Sequence, residues 1–400
     1  MAIPSVSATA VATSAAMPPQ AASSPCKARV VLLQTQAEAA GAQEISRILG
    51  QGLEAKGYAV HHIFLFRRTA AFDRQPNTIY CASQRPAIGP SLVRMIITFV
   101  HHLKILRPDA VLCFQHYGNI VGAAAAKLAG IDVIIANRTT PKSLVPRWAT
   151  WIDFLFGCTG LFKRVVVNSE AVEAEYRGYP PSYRSRVVRI DHGFASKTTD
   201  LSRAEARLSL GLPADVVVLG CVARLHPAKN QAAAIRLLPL ERDWHLALAG
   251  QGADRAHLLS LATSLGVADR VHLTGELSVD QIAVFLRSLD VFVFPTRAET
   301  FGLAVVEAAQ VGLPVVANNI EVLREVLAVD GDPCALFVDV DDAGAFAAAV
   351  RSLLADKDLC ASLTSRGARL SQRYSIEAMV DHYAALIESV LPPSAEGARP

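Results

Sequence analysis

The sequence predicts an α/β protein with two parallel, doubly wound sheets. Short apolar runs alternate with helical patterns of about 10–15 residues along the chain, an order typical of parallel sheets. The alternation is interrupted once, near residue 194, and then resumes. A chain of 400 residues is also too long for one ordinary core. Because 52% of the residues are hydrophobic but only 6% are aromatic, the core should consist mainly of Ala, Val and Leu, which suits helices packed on strands.

The first half of the chain supplies the strands and helices of the first sheet. The predicted strands are 29–35, 58–66, 110–116, 131–137, 164–169 and 187–193. Helical patterns run to about Lys56 and over 91–106 and 119–129, and Ser169 is placed to cap a helix that reaches Tyr176. The polar, proline-containing stretch 67–90 carries no strand or helix prediction.

The segment 142–164 differs from its surroundings because it combines aromatic and basic side chains. Trp148 and Trp151 stand near Lys142 and Arg147. One interpretation is a helix packed against the sheet, the commoner case for a helix of this size. The other interpretation is an interfacial helix that contacts a membrane or forms a wall of a ligand-binding site.

The second half repeats the alternation after an unpatterned polar stretch, 194–200. Ser202 and Glu205 have the spacing of a capping box, and so do Ser278 and Gln281. The predicted strands are 216–222, 245–250, 270–275, 290–295, 314–318 and 335–340. Helical patterns follow at 343–354, near 360–372 and at 376–391.

These patterns divide the chain into an extension (1–28), a first domain (29–193), a second domain (194–375), a last helix (376–391) and a tail (392–400). The extension is rich in Ala, Ser, Pro and Thr and lacks the features of a secretory signal, so we expect it to be disordered. Since no strand follows the last helix, that helix must pack on structure formed earlier in the chain.

Bulk composition excludes several classes of function. A net charge of +3 without a Lys/Arg run argues against nucleic acid as a partner. The seven cysteines are scattered without CxxC spacing, which indicates reduced thiols in a cytoplasmic protein. No apolar run reaches the ~20 residues of a spanning helix. We therefore expect a cytoplasmic protein, with peripheral contact to the inner face of the membrane left open by segment 142–164.

A cationic loop follows the first strand of the second half. Arg224 and Lys229 lie five residues apart at the carboxyl end of strand 216–222, where open α/β sheets bind ligands. A guanidinium and an ammonium there could clamp a diphosphate. The alternative is that both cations are solvated side chains of an exposed loop and bind no ligand.

The stretch 290–314 places two acids near a helix N-terminus. A strand ends at Pro295, a short loop carries Glu299, and a helix opens after Gly302 with Glu307 one turn inside it. The unpaired amides of such a terminus suit a phosphate, and flanking acids suit sugar hydroxyls. Gly250, after strand 245–250, is weaker evidence for close backbone approach to a ligand, because a glycine turn is often only a turn.

Together, the segments GCVARLHPAKN (220–230) and ETFGLAVVE (299–307) resemble the donor site of retaining glycosyltransferases of the GT-B fold, family 4 type. The second segment matches an acidic E-x7-E pattern. The resemblance is strong over the second half and holds only in outline over the first. It implies two Rossmann-like domains facing a cleft, with the last helix crossing back to the first domain.

The resemblance also implies roles for individual residues. Arg224 and Lys229 would hold the donor diphosphate, Glu299 would contact the transferred sugar, and Glu307 would hold the ribose. Backbone amides around Phe301, Gly302 and Leu303 would bind sugar hydroxyls and phosphate. The implied activity is hexosyl transfer from a nucleotide sugar to a glycan or lipid-linked acceptor, as in surface polysaccharide biosynthesis.

The first half departs from that family in the loop after its first strand, where Ala39-Ala40-Gly41-Ala42 stands in place of a Gly-Gly pair. Gly41 still allows the diphosphate or acceptor to approach. His116, at the end of strand 110–116, stands where members often place a cleft histidine, so we assign it a catalytic role beside Glu299. A capped loop residue is the alternative for a lone histidine in this position.

No cofactor or metal is expected, because the cations do the work of a metal in this family. The segment Asp339-Val340-Asp341 has the DxD pattern of metal-dependent transferases, but it ends a strand just before a helix. Asp341 or Asp342 is therefore predicted to cap that helix.

Three other functions stay open. A nucleotide-sugar 2-epimerase or a hydrolase would use the same fold and donor site, and a non-catalytic nucleotide-sugar-binding protein would need only part of it. A Rossmann oxidoreductase is disfavoured, because no GxGxxG motif opens either sheet.

Overall fold

A computed structural model describes residues 26–38 and 40–392 of the chain. The predictions for the extension up to residue 25 and for the tail from residue 393 fall outside the described residues. Within them, the chain forms two parallel sheets, each covered by helices.

The first sheet has seven strands in the order β3-β2-β1-β4-β5-β6-β7, all parallel. They are β1 Arg29–Ala37, β2 Ala59–Arg67, β3 Thr78–Tyr80, β4 Ala110–Phe114, β5 Ile134–Asn137, β6 Arg164–Val167 and β7 Val187–Arg189. β1 and β4 lie at the centre and are almost fully buried, as expected for near-continuous apolar runs.

Two sequence-based predictions for this sheet are wrong. The stretch 67–90 contains the edge strand β3, which has only three half-buried residues and therefore shows no readable periodicity. The strand predicted over 110–116 ends at Phe114. His116 instead lies in a short helix, Gln115–Tyr117, which opens with a left-handed Gln115 at φ 63°.

The helices of the first domain fill the connections between these strands. They are Gly41–Ala55 (the first helix), Pro90–Leu106, Gln115–Tyr117, the π-helical turn Gly118–Gly122, Ala123–Leu128, the 3₁₀ turn Lys142–Leu144, Arg147–Thr159 (the tryptophan helix), Glu170–Ala174 and Pro181–Arg184. Ser169 caps its helix as predicted, accepting from the Val172 amide, but that helix ends at Ala174, before Tyr176.

The tryptophan helix has two different faces. Its inner face buries Asp153, which forms an ion pair with Arg138 and accepts a hydrogen bond from the Tyr183 hydroxyl at 2.9 Å. Its outer face leaves Trp148 and Trp151 53% and 67% exposed. The helix therefore packs against the domain through its inner face, and contact of its outer face with a membrane stays a prediction.

The second sheet has six parallel strands in the order β10-β9-β8-β11-β12-β15. A separate antiparallel pair, β13 and β14, lies beside it. The strands are β8 Val217–Val222, β9 Trp244–Ala249, β10 Val271–Gly275, β11 Val291–Phe294, β12 Val315–Asn318, β13 Ala328–Val329, β14 Asp332–Pro333 and β15 Leu336–Val338.

Helices cover both faces of this sheet. They are Arg203–Ser209, Gln231–Ile235, Arg255–Ser264, Val279–Ser288, Leu303–Gln310 (the cleft helix), Glu321–Val326, Ala343–Ala355, Lys357–Ala368, Leu370–Arg373 and Ile376–Val390 (the crossing helix), with 3₁₀ turns at Pro227–Lys229, Leu238–Leu240 and Ala268–Arg270. Both predicted capping boxes are present. The helix predicted near 360–372 is two helices, and it starts earlier because Asp356 caps it by accepting from the amides of Asp358 and Leu359.

The crossing helix packs on the first domain, as predicted. Val380 lies so close to Gly52 of the first helix that a β-carbon on the glycine would sit 2.3 Å from it. The Tyr383 hydroxyl donates to the Asn137 side chain at 2.7 Å. These contacts attach the crossing helix to the first domain.

The two sheets place their ligand-binding edges in equivalent positions. Strand order reverses between β1 and β4 in the first sheet and between β8 and β11 in the second. Open α/β sheets bind ligands beyond the carboxyl ends of strands at such switch points. The loops after these four strands are therefore where a site is expected.

Candidate active site

The loop after β8 carries Arg224 and Lys229 and is fixed by hydrogen bonds. The Gln231 side chain donates to the Arg224 carbonyl at 2.9 Å. The Ala228 carbonyl accepts from the Arg297 amide at 2.8 Å, which ties this loop to the one after β11. Both cations thus sit on a braced loop at the second switch point.

Lys229 and Glu299 form an ion pair across this switch point. Their side chains are 24% and 12% exposed, so the pair is partly withdrawn from water but can be reached from the cleft. The two residues are 70 positions apart in sequence, and the order of β8 and β11 brings them together.

Gly302 sets the start of the cleft helix. It adopts φ 89°, a left-handed conformation that favours glycine, and the helix begins at Leu303. The amides of Val305 and Val306 donate to the Gly302 carbonyl at 3.1 and 3.3 Å, and the helix begins beyond the carboxyl end of β11, at the second switch point. Phe301 is buried against His192, Phe194 and Tyr374, so its side chain anchors the loop and only its backbone is available to a ligand.

Glu307 lies one turn inside the cleft helix and is 5% exposed. Its carboxylate accepts from the ammonium of Lys197 at 3.0 Å. Burial raises the pKa of Glu307 to about 7, with Lys197 acting in the opposite direction and Glu44 of the first helix adding to the rise. Glu307 therefore changes charge near neutral pH.

Gly250 directly follows β9, as its sequence context indicates. A β-carbon there would lie 2.1 Å from the Ala223 carbonyl oxygen, and its φ is 138°. The close approach is to the chain's own backbone just before Arg224. Gly250 thus lets the loops after β8 and β9 pack together, and its contact with a ligand stays a prediction.

The wall formed by the first domain contributes Glu38, which forms an ion pair with Arg224 across the cleft. Glu38 is 7% exposed and is also bound by Arg68 at 3.0 Å and by the Gln36 amide at 2.6 Å. Nearby, Gly41 begins the first helix, where a β-carbon would lie 3.7 Å from the Leu303 side chain. The loop after β1 therefore contacts both the cationic loop and the cleft helix, the two segments that carry the family resemblance.

His116 lies at the first switch point, in a cavity. Asn119, Arg138 and Tyr176 also line this cavity, and so does Thr300, the neighbour of Glu299. Burial lowers the pKa of His116, which favours the neutral imidazole. The cavity reaches the second domain through Thr300, which also accepts hydrogen bonds from Asn168 at 3.2 Å and, at its carbonyl, from Ser169 at 2.9 Å.

The acids of the DxD segment are used in other ways. Asp342 caps the helix Ala343–Ala355 by accepting from the Ala345 amide at 3.0 Å, as predicted for this pair of residues. Asp341 accepts from Arg297 at 2.6 Å.

The comparison with known families identifies the second half of the chain. Residues 202–370 match the family of glycosyl transferases group 1. The second domain is therefore similar to the group 1 glycosyltransferases over these residues. The matched residues contain the cationic loop after β8 and the whole cleft helix.

Curated proteins similar to this chain include the lipopolysaccharide core biosynthesis mannosyltransferase LpsB of Rhizobium meliloti. It is 31% identical over 214 residues, which are 50% of this chain and 60% of the relative. The chain thus spans less than two thirds of the length of that relative, and the same holds for the LpsE glycosyltransferase of the same organism, at 58%.

Solved structures establish the fold of the whole described chain. The Anabaena Alr3699/HepE protein, solved with UDP and glucose, superposes with a TM-score of 0.78 at 19% identity and covers 91% of this chain and 100% of its own. Sucrose-phosphate synthase from Thermosynechococcus elongatus gives 0.76 at 20% identity and covers 92% and 100%. The two-domain architecture with its cleft is the GT-B fold, as the sequence predicts.

Sequence reasoning did not single out Lys197 and Glu38. Lys197 lies in the polar linker between the domains, where a lysine is normally solvated. Glu38 directly follows β1, and an acid at the carboxyl end of a central strand was the one signal that could have indicated it. Among residues 26–38 and 40–392, no helix has both the length and the apolar character to cross a bilayer.

Proposed function

We propose that the protein is a retaining, metal-independent glycosyltransferase that moves a sugar from a nucleotide-diphosphate sugar to a hydroxyl of a glycan or lipid-linked acceptor. The observation that carries this proposal is the ion pair of Lys229 with Glu299 at the second switch point, beside the N-terminus of the cleft helix, with Arg224 on the same loop as Lys229. The group 1 family match and the nucleotide in the HepE structure support it.

In this proposal the donor diphosphate lies between the cationic loop and the cleft helix. Arg224 and Lys229 supply two positive charges, and the free amides at Gly302 and Leu303 supply donors aligned with the helix dipole. Negative charge grows on the diphosphate as the bond to the sugar breaks, so these groups bind the transition state more strongly than the ground state. Since the protein's own cations neutralise that charge, no metal is required.

The two acids serve opposite ends of the donor. Glu299, paired with Lys229, is placed to accept hydrogen bonds from the transferred sugar. Glu307, one turn further along the helix, is placed to hold the ribose. The transition state is oxocarbenium-like, and in a retaining reaction the acceptor hydroxyl can attack from the face of the leaving group while a phosphate oxygen takes its proton. Glu299 then positions the sugar and forms no covalent intermediate.

The acceptor side is the cavity of the first domain. His116, with its neutral imidazole, and the hydroxyl of Tyr176 can bind sugar hydroxyls. Because Thr300 lines the same cavity, an acceptor bound there is next to Glu299.

The tryptophan helix borders this cavity through Ala149, Thr150 and Asp153 and exposes Trp148 and Trp151 on its other side. Exposed indole rings on a helix that begins at the exposed Arg147 suit the interface of an anionic membrane. This arrangement, and the role of LpsB in lipopolysaccharide core biosynthesis, support a lipid-linked or lipopolysaccharide-type acceptor and a cytoplasmic protein held at the membrane surface.

The test is incubation with UDP-glucose, UDP-galactose, UDP-N-acetylglucosamine and GDP-mannose, each with and without extracted lipopolysaccharide precursors. Nucleotide release that requires the acceptor, with the donor's anomeric configuration kept in the product by NMR, is the expected result. Release without an acceptor would assign the protein to the epimerases or hydrolases, and binding without release would make it a binding protein. EDTA should leave the rate unchanged.

A further inference from the structure

The linker between the domains contains a buried lysine. Lys197 belongs to the polar segment 194–200, yet its side chain is only 11% exposed and its ammonium lies 3.0 Å from the Glu307 carboxylate, which is 7% exposed. A charged side chain in a linker normally projects into water, because withdrawing it carries a large desolvation cost. The burial of Lys197 against the cleft helix therefore needs an explanation other than solvation of the linker.

Stability is a poor explanation for the pair. The desolvation of two buried ions largely offsets their attraction, so a buried pair adds little net stability compared with apolar side chains of the same size. The charged groups that face Glu307 are Lys197 from the linker and Glu44 from the first helix, and Glu44 is itself bound by Arg47. Lys197 is the group that favours the ionised carboxylate, and Glu44 opposes it.

We propose that Lys197 is a positioning residue for the nucleotide: it keeps the Glu307 carboxylate charged and aimed so that this carboxylate accepts hydrogen bonds from the ribose hydroxyls. The proposal rests on the proposed function, in which Glu307 holds the ribose. An ionised carboxylate has about four acceptor positions on two oxygens, and Lys197 contacts one oxygen, Oε1. The remaining positions are free for hydroxyl donors, and bonds to a charged acceptor are roughly twice as strong as bonds to a neutral one.

The experiment measures binding of UDP and GDP, and of their 2′,3′-dideoxy forms, by calorimetry between pH 6 and pH 9. The proteins are the wild type, Lys197→Met and Lys197→Arg. Lys197→Met should weaken binding of the nucleotide with ribose hydroxyls by about tenfold, and binding of the dideoxy form by less than about twofold. Lys197→Arg should retain most of the affinity because it keeps the positive charge.

The pH dependence of nucleotide binding distinguishes this role from a purely structural one, because a Lys197 that only supports the fold would not shift it. Both nucleotides carry the same diphosphate, so its protonation changes both affinities equally. The ratio of the ribose affinity to the dideoxy affinity is therefore independent of that protonation. In the wild type this ratio should fall as the pH drops through about 7, where Glu307 takes up its proton. In Lys197→Met the fall should move to higher pH, because the cation that favours the carboxylate is gone.

The matched control is Lys56→Met. Lys56 also pairs with a carboxylate of another element, Asp381 of the crossing helix, but this pair lies on the outer surface. The control should leave the affinities and their ratio unchanged.

Three results would overturn the inference: equal losses of affinity for the ribose and dideoxy forms, a pH dependence of their ratio that is unchanged in Lys197→Met, or tighter binding by that variant. Wild-type protein that binds neither UDP nor GDP would instead contradict the proposed function, and the inference with it. Wild-type protein that prefers the ribose form, with the same preference in Lys197→Met, would overturn the inference alone.

Discussion

Replacement of Glu299 by Gln should separate donor binding from turnover. The substitution keeps the size of the side chain and removes the negative charge that now pairs with Lys229. It leaves the Lys229 ammonium without a competing carboxylate, so the ammonium is more available to a diphosphate. It also removes the charged acceptor that we place against the transferred sugar.

The magnitude follows from the exposure of the pair. Two charges about 4 Å apart interact by about 4 kcal/mol at an effective dielectric constant of about 20. Because Lys229 is 24% exposed and Glu299 12% exposed, solvent screening reduces this to about 1 kcal/mol. UDP or GDP should thus bind up to about fivefold more tightly to Glu299→Gln. Turnover should fall by about 10²–10³, the usual effect of losing one group that acts in the transition state.

Calorimetry with UDP and GDP gives the affinity, and acceptor-dependent nucleotide release gives the turnover. Glu241→Gln is the matched control, because Glu241 pairs with Arg351 at 2.5 Å and precedes β9, on the opposite edge of the sheet from the site. The control should change neither quantity. Loss of nucleotide binding in Glu299→Gln, or a glycosyl adduct trapped on Glu299 of the wild type, would refute the reasoning.

Three further variants test other parts of the account. Glu38→Gln removes the cross-cleft partner of Arg224 and should tighten UDP or GDP binding severalfold by calorimetry, because the pair, in which Arg224 is exposed, is worth about 1 kcal/mol. Weaker binding would mean that Glu38 orients Arg224 for the diphosphate. Trp148→Ser with Trp151→Ser should reduce co-sedimentation with anionic liposomes, whereas unchanged co-sedimentation would exclude this helix as the membrane contact. Asp153→Asn leaves the Arg138 charge buried and should lower the free energy of unfolding by about 3–5 kcal/mol in urea titrations, and a loss below about 1 kcal/mol would show that water reaches the pair.

The sequence predicted most of the second domain because its signals are local. The capping residues Ser202 and Ser278 act on amides three residues away, and the apolar runs of β8 and β11 are continuous, so each element can be recognised without its neighbours. The position of Glu307 inside the cleft helix follows from the same local pattern.

The parts that could not be predicted depend on contacts between distant segments. β3 has only three residues and exists because β2 offers it a parallel partner. The pairing of Glu38 with Arg224 joins residues 186 positions apart, and that of Lys197 with Glu307 depends on how the linker folds over the cleft helix. The close packing of Gly250 against Ala223 could not be predicted either, because Ala223 comes from another strand end.

The placement of the donor is tested most directly by a crystal structure of the protein with UDP or GDP bound. We predict that the diphosphate oxygens lie within hydrogen-bonding distance of Arg224 and Lys229 and that the ribose hydroxyls contact Glu307. A nucleotide bound in the first-domain cavity beside His116, or one whose diphosphate contacts neither cation, would contradict the account.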